Sequence, residues 1–231
     1  MKVAIIPARG GSKRIPRKNV RDFCGKPMLA WSAEAALRSG CFDRVILSTD
    51  DDEIAELAVR FGVEAPFRRP PELSNDEATT VPVIAHALQW LRSEGSQPRL
   101  ACCIYATAPF IRAQDLRDGL RRLEDSAADY AFTCTTYPYP VQRALRVGPD
   151  GRIAMLYPEY VTTRSQDLVE AIHDAGQFYW GLAEAFLEGR PILGPGAVPL
   201  MISRHRAQDI DTPEDWKQAE LMYRAVAERE P

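Results

Sequence analysis

The sequence predicts an α/β fold organised around a mostly parallel sheet. Three observations carry that reading. Short, β-rich apolar runs stand at residues 3–6, 44–49, 100–105 and 130–135. Helical patterns separate them, and strands alternating with helices build right-handed crossovers between parallel strands. The length, 231 residues, is enough to bury one sizeable core and fits a single domain.

In chain order, Val3, Ala4, Ile5 and Ile6 read as a buried parallel strand that opens into a glycine-rich basic loop over residues 8–19. Pro27 suits a first helical position, so a helix is predicted from there through Leu37, ended by Gly40. After the strand at 44–49, Asp50 with Glu53 resembles a capping box that launches a helix over 51–61, closed by Gly62. Further helices fit 81–91 and 113–124, between and after the strand at 100–105. The rhythm breaks after Thr136. Residues 137–175 are rich in proline, polar and aromatic residues, and Gly148-Pro149-Asp150-Gly151 suggests a hairpin turn between Arg146-Val147 and Arg152-Ile153. This segment reads as an inserted arm, a lid or a subunit contact, with an irregular surface excursion as the alternative. Regular structure resumes at 177–181. Thr212 as N-cap and Pro213 at the first helical position begin a final helix over 213–228. No internal repeat appears, so the reading is one domain over residues 1–231 with an arm at about 137–175.

Composition removes several classes. With 45% hydrophobic and 26% charged residues the chain is not that of a disordered protein. No run reaches the ~18 apolar residues of a membrane span. The apolar stretch at 3–8 is short and meets Arg9 at once, unlike a signal peptide. Five cysteines without metal-type spacing suggest reduced thiols and a cytoplasmic location. Cys102 and Cys103 should face opposite sides of a strand, where a bridge between them would be strained. The net charge of −3 hides an asymmetry: residues 1–30 carry eight basic side chains against Asp22 alone, a balance of +7, which leaves −10 for the remainder. A small basic pole on an acidic body points to a local anion site.

That pole centres on Arg9-Gly10-Gly11-Ser12-Lys13-Arg14, leaving the C-terminal end of the first strand, the edge where open α/β sheets bind ligands. Glycines let backbone N–H groups approach an anion, while the Arg fork and the movable Lys charge suit a polyphosphate. Neither the P-loop nor the dinucleotide pattern is present. A solvated basic loop is the plainer reading. Near the other end, Asp209-Ile210-Asp211, if extended, points two carboxylates to one side and Ile210 to the other. Like charges on one face call for a cation or solvent, and hard oxygen ligands suit Mg²⁺ shared with phosphates. The alternative is that Asp211 favours the helix N-terminus and Asp209 is solvated. His86, His173 and His205 show no ligand spacing, and no nucleophile–base order stands out. Trp216, Ala219 and Tyr223 read as core; Tyr137, Tyr139, Tyr157 and Tyr160 suit a pocket or an interface.

Ile6-Pro7-Ala8-Arg9-Gly10-Gly11-Ser12-Lys13, then Lys18-Asn19, resembles the signature of the CMP-sugar-acid synthetases, the cytidylyltransferases that activate nonulosonic acids. Ser48-Thr49-Asp50-Asp51, Arg69-Pro70 and Asp209-Ile210-Asp211-Thr212 extend the resemblance over nearly the whole chain. The wording at 103–110, 141–145 and 174–180 is similar to the branch of the family that acts on pseudaminic acid. Sialic acid synthetases usually have Gln where Tyr105 stands and Arg where Ile111 stands, which points away from N-acetylneuraminate.

The resemblance implies a Rossmann-like nucleotidyltransferase fold, a homodimer formed through the arm, and use of CTP with one or two Mg²⁺ ions. It places Arg9, Ser12, Lys13 and Lys18 on the phosphates, Asn19 on the ribose, and Arg69 with Thr79 or Thr80 on cytosine, with Ala8, Gly10 and Gly11 also in the nucleotide site. Asp209 and Asp211 would hold the metal, with Arg9, Lys18 and Asp211 serving catalysis. Tyr105, Gln142, Arg143, Gln177 and Tyr179 would face the sugar acid. The implied reaction is CMP transfer from CTP to the sugar's anomeric hydroxyl, with neither nucleic acid nor membrane as partner. Sialic, legionaminic and 3-deoxy-octulosonic acids are alternative substrates. An Asp-x-Asp glycosyltransferase is a more remote reading, against which the long basic loop argues. RNA binding by the +7 segment would need stacking partners, and only Phe23 and Trp31 are near.

Overall fold

In the computed structural model, which describes residues 1–227, all four apolar runs lie in one six-stranded sheet. The chain forms β1 (Lys2–Pro7), a small hairpin of β2 (Asp22–Phe23) and β3 (Lys26–Pro27), then α1 (Met28–Ser39), β4 (Arg44–Ser48) and α2 (Asp52–Arg60). It continues through α3 (Thr80–Ser93), β5 (Leu100–Ile104), α4 (Ala113–Glu124) and β6 (Tyr130–Thr136). The hairpin β7 (Leu145–Val147) and β8 (Ile153–Met155) precedes β9 (Ile172–Leu182), α5 (Ala183–Leu187), β10 (Ala197–Met201) and α6 (Pro213–Ala227). The sheet order is β10-β6-β9-β5-β1-β4, with β9 antiparallel to both neighbours and the other pairings parallel. The mostly parallel sheet therefore stands as expected.

Period-two alternation divides the strands between two cores. Ala4, Ile6, Cys102 and Ile104 pack with Leu29 and Ala33 of α1, Ile54 of α2, and Leu116 and Leu120 of α4. Val3, Ile5 and Cys103 pack on the other face with Ile84 and Leu88 of α3 and Phe186 of α5. Cys102 and Cys103 thus face opposite sides, and all five thiols are free. Each fully buried Leu, Ile or Phe of these layers contributes ~1.5–3 kcal/mol. A third cluster joins Ile15, Phe23 and Met28 to Ile210, Trp216 and Ala219, fastening α6 beside the basic loop.

Local signals were mostly obeyed, with three exceptions. Pro27 precedes α1 as its N-cap residue instead of opening it, while Gly40 closes the helix in the left-handed region at φ 67°. Asp51, not Asp50, caps α2: its extended backbone aims the carboxylate at Ile54 N–H, 3.0 Å away. Asp50 instead accepts from Gly10 N–H at 2.9 Å. β9 begins at Ile172, inside the span assigned to the arm, because Ile172, His173 and Asp174 pair with Thr136, Thr135 and Cys134. Gly176, at φ 63°, and a register shift opposite residues 132–134 interrupt the apolar alternation that would have revealed it. The intervening segment is residues 137–171. Its hairpin turns at Gly151 as expected, and Val147, Ile153, Val161 and Val169 are exposed along it. Thr212 and Asp215 form a reciprocal cap on α6. The predicted end of that helix, Glu228, lies outside the described residues.

Candidate functional site

Five strands run in one direction, so the C-terminal ends of β1 and β5 meet at one sheet edge. A cavity of about 600 Å³ opens there. Of the residues expected at a site, Arg9, Ser12, Lys13, Lys18, Asn19, Arg69, Thr79, Thr80, Tyr105 and Asp211 line it together. They come from stretches about two hundred residues apart in sequence and meet at one cavity.

The basic loop owes its path to contacts its own sequence does not announce. Arg17 sits at φ 56° and binds Asp51 with two bonds, of 2.6 and 3.3 Å, and also Glu53. Its guanidinium holds the Asp51 carboxyl below the usual carboxylate range. Gly10 packs against this anchor so closely that a Cβ would stand 2.6 Å from an Asp51 carboxylate oxygen. The Gly10 N–H is occupied by Asp50 and is not turned toward the cavity, a departure from the expected anion cradle of two glycines. A Cβ on Gly11 would meet open space. Ala8 is buried behind the loop, its N–H donated to the Ser48 carbonyl. Asn19 donates to the Arg9 carbonyl at 2.9 Å, fixing the backbone from which Arg9 projects.

The charged groups of the cavity neutralise one another in the chain alone. Arg9 reaches Asp76 and the Asn75 carbonyl, each at 2.7 Å, and Lys13 reaches the other Asp76 oxygen at 2.5 Å. These two cations pull the exposed Asp76 carboxyl below its usual range, Lys13 contributing most. Lys18 donates to the Ile210 carbonyl at 2.6 Å and lies 3.4 Å from Asp211, which Arg14 also meets at 2.8 Å. Arg69 is buried; one of its terminal nitrogens has no hydrogen-bond partner and its nearest carboxylate, Asp50, is 3.9 Å away. Burial lowers its pKa from the ordinary arginine value. A buried donor of this kind suits a ligand acceptor. Asn75 and Asp76 were missed from sequence because they belong to no local pattern and gain their places only through the fold.

Ile210 is buried with Trp216 while both flanking aspartates are more exposed, and of the two Asp211 lines the cavity and Asp209 does not. Lost hydration and the nearby Asp211 charge raise the Asp209 carboxyl above its ordinary value. Two mutually repelling hard-oxygen donors fit a divalent cation. No cluster of three or more His, Cys, Asp or Glu side chains able to hold a metal occurs among the described residues. Such an ion would draw its other ligands from water and phosphate, the habit of Mg²⁺.

The remaining expected residues lie elsewhere. Gln142 and Arg143 bind within the arm, to the carbonyls of Val169 at 2.8 Å and Thr163 at 2.5 Å. Gln177 is buried, donating at 2.7 Å to the carbonyl of Arg206, whose guanidinium forms a bidentate buried pair with Asp115. Tyr179 stands behind Tyr105, ring centroids 5.3 Å apart, and donates to Asp174. Tyr137 and Tyr139 line a small cleft of the arm, apart from the main cavity.

Comparison with known proteins follows the same chemistry. A family model described as "Cytidylyltransferase" matches residues 3–147. Pseudaminic acid cytidylyltransferase of Campylobacter jejuni subsp. jejuni serotype O:2 is 41% identical over 222 residues, covering 96% of each chain. CMP-N,N'-diacetyllegionaminic acid synthase of Legionella pneumophila subsp. pneumophila is 28% identical over 227 residues, covering 95% of each. Among solved structures, CMP:2-keto-3-deoxy-manno-octonic acid synthetase complexed with CTP aligns with a TM-score of 0.69 at 18% identity, covering 97% of this chain and 99% of that one. At that identity the likeness concerns the fold.

Proposed function

The chain belongs to the cytidylyltransferase family, and on that premise we propose that it transfers CMP from CTP to the anomeric hydroxyl of pseudaminic acid, releasing pyrophosphate. The observation that carries this reading is the meeting of Arg9, Lys13, Lys18, Arg69 and Asp211 around one cavity at the sheet edge. The choice of sugar acid rests on the relatives and on Tyr105 at the cavity wall.

The reaction is an in-line attack on the α-phosphorus, with charge accumulating on phosphoryl oxygens and the leaving group. Preorganised cations serve that charge better than mobile water. Arg9 and Lys13 exchange Asp76 for phosphate oxygens when the triphosphate arrives. Lys18, held by the Ile210 carbonyl, and Ser12 meet the same chain of phosphates, Asn19 meets the ribose, and Arg69 with Thr79 or Thr80 takes the base. Asp209 and Asp211 hold Mg²⁺, which supplies Lewis-acid stabilisation of the phosphoryl oxygens when bound. Tyr105 is the cavity's sugar-side wall, backed by Tyr179 and by Gln177, whose carbonyl accepts from Tyr105 N–H at 2.9 Å. Gln142 and Arg143, carried on the arm, reach a sugar only in a neighbouring subunit.

No helix of the described residues is long and apolar enough to cross a membrane. We place the enzyme in the cytoplasm, where CTP is made. A panel of pseudaminic, legionaminic, sialic and 3-deoxy-octulosonic acids, each with CTP and Mg²⁺ and read by pyrophosphate release, tests the function. Pseudaminic acid should give the highest kcat/KM. Preference for another acid would transfer the assignment to it, and silence from all four would end the cytidylyltransfer reading for this chain.

The arm supports a homodimer. Val147, Ile153, Val161 and Val169 are 61–80% exposed on one inserted segment, an apolar surface of the sort that marks a partner contact. Replacing Val147 and Ile153 together with aspartate should convert a dimer into a monomer in sedimentation velocity, with the thermal transition of the sheet domain retained. A wild-type protein that sediments as a monomer at micromolar concentration would remove the arm from this role.

A further inference from the structure

Among the described residues, two carboxylates on the cavity wall, Asp76 and Asp211, hold four of its cations. Asp211 meets Arg14 and Lys18, and the reading above gives it a further use as a metal ligand. Asp76 meets Arg9 and Lys13 and has no such use.

The turn that carries Asp76 is built without the help of its side chain. Asn75 Oδ1 accepts from the N–H groups of Glu77 and Ala78, each at 2.9 Å, and Asn75 Nδ2 donates to the Glu72 carbonyl at 3.2 Å. Ser74 Oγ donates to the Pro70 carbonyl at 3.0 Å and accepts from Arg69 Nε at 3.2 Å. The Asp76 carboxylate is thus presented from a fixed turn to two longer, movable side chains. Lys13 and Arg9 keep its carboxyl below the usual range, so it stays charged at any working pH. Asp76 is half-exposed and Lys13 more so, and ion pairs in such a setting are weak enough to exchange. The exchange needs only rotations of Arg9 and Lys13.

We propose that Asp76 is an internal competitor for the leaving group: after transfer it takes Arg9 and Lys13 back from pyrophosphate and so sets how tightly that product is held. The assignment rests on the CTP reading given above. Before the bond to the α-phosphorus breaks, base and ribose contacts help to hold the phosphates. Afterwards pyrophosphate loses those contacts, while Asp76 remains tethered beside the same cations at a high effective concentration. One carboxylate leaves the two cations with a net charge of +1, enough to admit a triphosphate again. Binding CTP and the transition state equally well lowers KM without raising kcat, whereas slow product release limits turnover. A competitor for these two cations therefore costs the chemistry little and speeds release.

Asp76→Asn keeps the shape and removes the charge. With Mg²⁺ held constant, titration calorimetry should show pyrophosphate binding about fivefold tighter than in wild type, the scale of one exposed ion pair. Product inhibition by pyrophosphate should deepen by the same factor, CTP should tighten similarly, and cytidine, which has no phosphate, should be unaffected. The sign is the test, because a residue that served only the turn, or that itself held the nucleotide, would weaken binding when substituted. Asp76→Ala should behave as Asp76→Asn does. In an Arg9→Ala, Lys13→Ala background the same change should gain less than twofold, because the groups it would release are gone. Variants that melt like wild type and bind pyrophosphate no more tightly would overturn the proposal. So would a gain that persists undiminished in the double-alanine background, which would reduce Asp76 to diffuse repulsion. Because calorimetry needs no sugar acid, a wild-type protein that binds CTP and pyrophosphate but transfers to no acid would refute the proposed reaction without touching this test.

Discussion

Asp211→Ala is expected to reduce pyrophosphate release by roughly a thousandfold at ordinary Mg²⁺, the several kcal/mol that a Lewis acid contributes at about 1.4 kcal/mol per factor of ten. The fold should survive. Asp211 pairs with Arg14 and Lys18 at a half-exposed edge, where an ion pair contributes little to stability. Its own N–H bond to Asp215, at 3.1 Å, belongs to the backbone and remains in the variant. Ile210, the buried residue that sets the local path, is untouched. Two roles for Asp211 make different predictions. As a metal ligand, its loss raises the Mg²⁺ concentration needed for half-maximal rate. As a counter-charge that only orients Lys18, its loss lowers the rate with the Mg²⁺ requirement unchanged. Asp211→Asn, which keeps an oxygen but not the charge, should fall between wild type and alanine on the Mg²⁺ axis. A folded Asp211→Ala protein with wild-type turnover would remove Asp211 from the site altogether.

How legible the molecule was follows from where its information is stored. The sheet and helices were readable because alternation and caps are local: Val3 to Ile6 divide between two cores, and Gly40 ends α1 in the left-handed region. The basic loop and the aspartate pair were readable for the same reason, since charge type and spacing lie within a few residues. The start of β9 was hidden by Gly176 and a register shift, whose cause lies in the partner strand. The internal partners of the site, Asp76 for Arg9 and Lys13 and Asp51 for Arg17, lie more than thirty residues from the groups they bind. No period or motif announces a pairing of that kind. For Gln142 and Arg143 the nomination comes from resemblance alone, and within one chain their hydrogen bonds close on the arm itself.

Arg9→Ala should lower kcat by at least ~100-fold, the loss that accompanies removal of one preorganised donor aimed at transition-state charge. Its backbone carbonyl still accepts from Asn19, so the path of the loop does not depend on the guanidinium. Asp76 keeps Lys13 as a partner and is solvated, which limits any cost to stability. The distribution of the loss between kinetic constants then identifies what Arg9 does. A rise in KM for CTP at constant kcat means that the guanidinium holds the triphosphate equally well before and during reaction. A fall in kcat with little change in KM means that its bonds tighten as charge develops on phosphorus, which is the role proposed. Arg9→Lys separates charge from shape: an ammonium restores the cation but not the planar fork that meets two oxygens at once. Partial recovery of kcat in that variant would assign the remainder to bidentate geometry. Steady-state kinetics unchanged in Arg9→Ala would mean that the pair with Asp76 persists in the working enzyme and that Lys13 and Lys18 carry the phosphate charge without it.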